Sequence, residues 1–189
     1  MEKRLVGLFC ILFLLLVSCN IKEKKNICNS DIKDIQVLYS AGLSTGDVAT
    51  RCEDLLRWAE ESKKRVNNIK YVPYLPFIDT LITDCSIIEQ IEYEINNFQP
   101  IENRLIDARM LVYVNYKNGD VDKICINGVP VRDIIYNGQF QYNNKFLYLI
   151  KLYSGFYDWI PKSEFSYMDE LNDTTFVREK MKNRWGEEY

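Results

Sequence analysis

Residues 105–116 alternate without a break. Ile106, Ala108, Met110, Val112, Val114 and Tyr116 fall on one face, and Asp107, Arg109, Leu111, Tyr113 and Asn115 on the other. A period of two over this length marks a β-strand with a buried face. Asn118-Gly119 follows, and both residues tolerate positive φ, so the pair is a strong hairpin signal. Residues 121–126 carry the chain back. The register stays open at this level. A two-residue loop pairs Val112 with Cys125. A three-residue loop pairs Val112 with Ile126 and Val114 with Ile124, which matches the apolar faces better.

The hairpin recruits its neighbours. Asn137-Gly138 joins 131–136 to 139–142 as a second hairpin. Asn143 or Asn144 then caps a helix over 145–154, with Gly155 at its C′ position. Because that helix is apolar almost all round, it should be buried. Upstream, 32–39 reads as a strand, with Ile35, Val37 and Tyr39 alternating against Asp34, Gln36 and Leu38. A Gly/Ser/Thr loop over 41–47 leads to a helix over 48–66, with Val48, Cys52, Leu55 or Leu56, and Ala59 at helical spacing and Asp47 as its cap; its first half also suits a strand. A proline-bearing connection over 67–76 precedes a short strand at 77–83. Ser86 and Glu89 form a capping-box pair, opening a helix with Ile87, Ile88, Ile91, Ile95 and Phe98 in one stripe, ended by Gln99-Pro100. A last helix over 174–185 places Val177, Met181 and Trp185 on one side. Hairpin-linked strands predict an α+β domain over 31–189, a mainly antiparallel sheet with helices packed on one face.

The N-terminus belongs to a different problem. Lys3 and Arg4 give a basic tip, and 5–17 is an apolar run too short to span a bilayer comfortably. Leu16-Val17-Ser18-Cys19 resembles the lipobox of bacterial lipoproteins. The resemblance implies a signal peptide over 1–18, cleaved before Cys19, and a Cys19 that carries a diacylglycerol and a further acyl chain such as palmitate. Several acyl chains give stable anchoring where one is marginal. Residues 19–30 then form the lipidated cysteine and a polar, mostly basic tether. Asn20 stands where, in the enteric sorting rule, Asp would signal inner-membrane retention, so the outer membrane is favoured over the inner. The stretches "LIDARMLVYVNYKNGDVDKICING", "YNG" and "YSG" loosely resemble pieces of small uncharacterised lipoproteins of anaerobic Gram-negative bacteria, a resemblance that carries no catalytic motif.

What the chain lacks narrows its chemistry. It contains no histidine, which removes Ser-His-Asp and Cys-His nucleophile systems and histidine-ligated metals. A formal net charge of −3 argues against a nucleic-acid partner. Setting aside Cys19 and Cys10, which lies in the expected signal peptide, Cys28, Cys52, Cys85 and Cys125 are candidates for two disulfides with three connectivities, or for buried thiols. Their irregular spacing gives no support to a metal site, and no cofactor is expected. Asp79, Asp84, Glu102 and Asp107 are the carboxylates from which a hydrolytic pair would be drawn, although Asp84 reads better as a helix cap and Asp107 as an ion-pair partner of Arg109. Phe156, Tyr157 and Trp159 lie between a helix stop and Pro161, where a surface loop could present aromatics to a partner. The expectation is a lipid-anchored envelope protein that binds a protein or glycan and does not catalyse. The alternative is a histidine-free hydrolase using carboxylates on envelope polysaccharide.

Overall fold

The computed structural model describes residues 28–40, 50–57, 61, 77–127 and 132–188. Seven strands make one antiparallel sheet in the order β2-β1-β4-β5-β6-β7-β3. They are β1 (Ile32–Ser40), β2 (Phe77–Ile82), β3 (Gln99–Pro100), β4 (Ala108–Tyr116), β5 (Val121–Asn127), β6 (Asp133–Tyr136) and β7 (Gln139–Tyr142). Helices α1 (Cys85–Ile95) and α2 (Asn144–Tyr153) pack on one face, followed by 3-10 turns at Phe156–Trp159 and Lys162–Tyr167 and a single turn, α3 (Asp169–Asn172). The architecture is α+β.

Strand alternation sorts the core. Ile35, Val37, Met110, Val112, Val114, Ile124, Ile126 and Ile134 face the helices and are almost fully buried. Leu38, Leu111, Cys125, Ile135 and Phe140 face the other way. That second layer is covered by Cys52 and Leu55, which sit on a helical stretch at 52–57. The expected loop at 41–47, the cap Asp47, most of the 48–66 helix, the 67–76 connection and everything before Cys28, including Cys19, lie outside the described residues.

The β4–β5 register is neither of the two weighed from sequence. Val112 pairs with Ile124, Val114 with Asp122 and Asn115 with Val121. Tyr116 and Asp120 close the hairpin, with the Asp120 carbonyl accepting from the Tyr116 N–H at 2.9 Å. The Gly119 N–H reaches the Tyr116 carbonyl at 3.1 Å, and Gly119 has φ 95°. Gly119 therefore takes the left-handed position that a three-residue hairpin loop requires. The second hairpin has the two-residue turn its sequence predicts: Tyr136 pairs with Gln139, and Asn137 and Gly138 have φ of 51° and 74°.

Two local readings change, the Ser86–Glu89 capping box and the final helix. The cap of α1 is Asp84, as its position before the helix suggested, and its carboxylate accepts from the Ser86 and Ile87 N–H groups. Glu89, expected to complete a capping box with Ser86, accepts from the Asn29 N–H instead. A carboxylate one residue before the helix outcompetes a hydroxyl inside it because it reaches two free N–H groups at once. The final helix at 174–185 does not form. The chain runs there as an irregular strap closed by a bridge between Lys182 and Glu188. Val177 and Trp185 are exposed, and Met181 alone of the expected stripe packs against the core. Fixed side-chain bonds replace helical ones: the Glu179 N–H donates to Tyr148 Oη, and Asn183 donates to the Ile160 carbonyl and accepts from the Trp185 and Glu187 N–H groups.

Candidate functional site

The face of the sheet that builds the core ends in polar residues at its hairpin rim. Continuing the alternation of β4 past Val114 gives Tyr116. Preceding Ile124 on β5 gives Asp122, and following Ile134 on β6 gives Tyr136. The three lie on adjacent strands, and both hydroxyls donate to the same carboxylate oxygen. Tyr116 Oη lies 3.0 Å and Tyr136 Oη 2.7 Å from Asp122 Oδ2. Burial, then the Asp122 carboxylate they donate to, holds both tyrosines above their ordinary pKa, so both stay neutral donors. No hydrogen bond from the described residues reaches Asp122 Oδ1. Phe98 packs edge-on against Tyr136, with centroids 5.7 Å apart, and so fixes the ring from the helix side.

Tyr116 and Asp122 of this cluster line a cleft of about 920 Å³. One wall is the β4–β5 hairpin, Tyr116 to Asp122. The C-terminal end of α1 contributes Glu92, Ile95 and Asn96 to the lining, and the start of the first strand contributes Asp31 and Ile32. Lys117, on the rim, already has its ammonium on the carbonyls of Ser30 at 2.6 Å and Cys28 at 3.3 Å. The cleft therefore offers a fixed carboxylate, further acidic groups and amide side chains, beside the point where the chain enters the domain.

The residues singled out from sequence go elsewhere. Phe156 and Tyr157 are 2% exposed, so the expected surface loop is a piece of core. Gly155, at φ 74°, reverses the chain after α2 and drives both rings inward against Tyr39, Tyr148 and Phe165. Trp159 is half-buried, with the Arg184 guanidinium stacked 4.3 Å from its ring centroid. The carboxylates do not form a pair across a cleft. Asp79 accepts from Gln36, Asp84 caps α1, Asp107 holds Arg109 and the Thr50 N–H, and Glu102 is exposed. The four cysteines form two disulfides, Cys28–Cys85 and Cys52–Cys125. Glu89 adds a third potential ligand atom beside the first bridge.

The Tyr116–Asp122–Tyr136 cluster was not singled out from sequence. Its signal was present, since all three residues continue apolar faces past the last aliphatic position. Finding it needed the register that places Asp122 opposite Val114. No family model, curated protein or solved structure matches the chain.

Proposed function

We propose that the chain is a lipid-anchored envelope protein whose folded domain is a non-catalytic binding module, with the Asp122 cleft as its site. The observation that carries this reading is the fixed carboxylate. Two neutral tyrosine hydroxyls hold Asp122 Oδ2, which leaves Oδ1 to accept from a ligand's N–H or O–H without reorganisation, and preorganised groups favour binding. Of the carboxylates considered for hydrolysis, Asp79, Asp84 and Asp107 are spent on hydrogen bonding, capping and pairing, and Glu102 is exposed. Two disulfides suit the oxidising envelope, and the outer membrane is the favoured location. The partner is a protein or glycan that presents hydrogen-bond donors.

The hydrolase reading keeps one specific support, because two carboxylates, Glu92 from α1 and Asp122 from β5, line the same cleft. Affinity capture of the acylated protein from its own membranes, run beside Asp122→Asn, separates the two. Binding predicts a stoichiometric partner or glycan retained by the wild type and lost by the variant. Cleavage of purified envelope polysaccharide by the pure domain, abolished by Asp122→Asn, would establish the hydrolase instead.

A further inference from the structure

Cys28, Cys85 and Glu89 bring three metal-ligating atoms within 4.8 Å of one another. Cys85 and Glu89 are four residues apart on α1 and so project from one side of it. Cys28 arrives from the N-terminal segment, its Cα 5.5 Å from that of Cys85. The Asn29 N–H donates to Glu89 Oε1 at 3.0 Å and aims the carboxylate at the sulfurs, as an outer hydrogen bond orients a ligating group. Cys85 is the first residue of α1, where the helix dipole favours a thiolate. The Lys117 ammonium, 3.3 Å from the Cys28 carbonyl, adds positive charge nearby. The sulfurs are half-buried and Glu89 is exposed, so the cluster is partly shielded and open on one side.

We propose that reduction of the Cys28–Cys85 bridge converts this cluster into a zinc site, with two thiolates and the Glu89 carboxylate as ligands and a water completing four-coordination. The inference is independent of the ligand reading of the cleft. The chemistry balances with a dithiol reductant. Its two S–H groups become its own disulfide, and the two electrons and two protons pass to Cys28 and Cys85 as thiols. Zn²⁺ then forms two Zn–S bonds and releases both thiol protons to water. Sulfur with one carboxylate oxygen suits zinc, whereas calcium and magnesium require oxygen ligands throughout. Either bond, disulfide or zinc, holds the segment at Cys28 to the start of α1. The clamp therefore survives a change of redox state when zinc is present.

The test uses the purified, detergent-solubilised protein, oxidised or reduced by a dithiol that is then removed without air, and titrated with Co²⁺ as a spectroscopic stand-in for zinc. The reduced protein should bind one ion with a thiolate-to-cobalt charge-transfer band that Zn²⁺ displaces. The oxidised protein should show none. Glu89→Gln, which leaves both cysteines in place, should weaken binding at least about tenfold. The Cys52→Ser/Cys125→Ser protein should keep the band. A reduced protein without the band, or a band that survives in Cys28→Ser/Cys85→Ser or is unchanged in Glu89→Gln, overturns the proposal.

Discussion

Lys151 on α2 and Glu170 on α3 are both 0% exposed and meet as an ion pair, Nζ to Oε1 at 2.5 Å. Tyr157 Oη donates to the same oxygen at 3.1 Å, so the pair ties α2, the 3-10 turn after it and α3 together. Burial pushes the Lys151 ammonium below its ordinary pKa, and the Glu170 carboxylate opposes that shift. Removing one partner strands a buried charge. Lys151→Met or Glu170→Leu alone should lower stability by about 3–5 kcal/mol, while the double replacement, which leaves no charge behind, should cost far less. Urea midpoints of the three variants decide this, and equal losses in single and double variants would refute it.

The disulfides predict a connectivity and a size. Non-reducing peptide mapping should recover Cys28 with Cys85 and Cys52 with Cys125, and neither of the other two pairings. The bridges span sequence separations of 57 and 73. Loops of that size, opened in the unfolded chain, correspond to about 4 kcal/mol each by the loop-entropy relation. Cys52→Ser/Cys125→Ser removes the bridge that holds the 52–57 helix to β5, and should lower the unfolding free energy measured by urea denaturation by an amount of that order.

Which of these features sequence reasoning reached depends on the range of the forces involved. The alternation in β1 and β4, the Asn137-Gly138 turn, the Asn143 cap and the Gly155 stop are each decided by residues a few positions apart, and all stand in the structure. The strap at 174–188 has helix-forming composition, yet its conformation is set by Tyr148, Ile160 and Asn183, partners far away or specific to one side chain. The burial of Phe156 and Tyr157 depends on Tyr39, far back in the chain, and on Phe165 and Glu170 beyond the turn, and no local pattern announces those contacts. The Asp122 cluster joins three strands, so a hairpin register two residues out was enough to hide it.

Alkaline pH should weaken the fold. Burial, then the charge of Asp158, raises the Tyr39 pKa, and burial likewise raises Tyr116 and Tyr136. The unfolded chain ionises its tyrosines near about pH 10, while the folded chain holds these protons to higher pH. Stability is therefore unaffected by them below about pH 10 and falls as pH rises past it, because there the unfolded state binds fewer protons. Tyr39→Phe loses the hydrogen bond to the Ser154 carbonyl, at about 1 kcal/mol near neutral pH, and should flatten the alkaline decline. Urea midpoints measured on both sides of pH 10, with tyrosinate absorbance, test the sign; stability rising there would contradict it.

The proposed anchor makes a prediction of reach as well as of chemistry. Cys28 is bonded to Cys85, so the domain is fixed from the ninth residue after Cys19. At about 3.3–3.6 Å per residue, that tether keeps the Cys28 end of the domain within about 30 Å of the headgroups. The Asp122 cleft lies at this same end, since Lys117 on its rim bonds the Cys28 carbonyl. Mass spectrometry should find an acylated N-terminus at Cys19, and Cys19→Ala should lose lipid labelling and leave the membrane fraction. Trypsin acting on membrane-bound protein should cut after Lys24 or Lys25 and release a folded fragment with both bridges intact, because the first bridged cysteine follows those sites. Lipid labelling that persists in Cys19→Ala, or a domain that stays on the membrane after the tether is cut, would remove the anchor from the account.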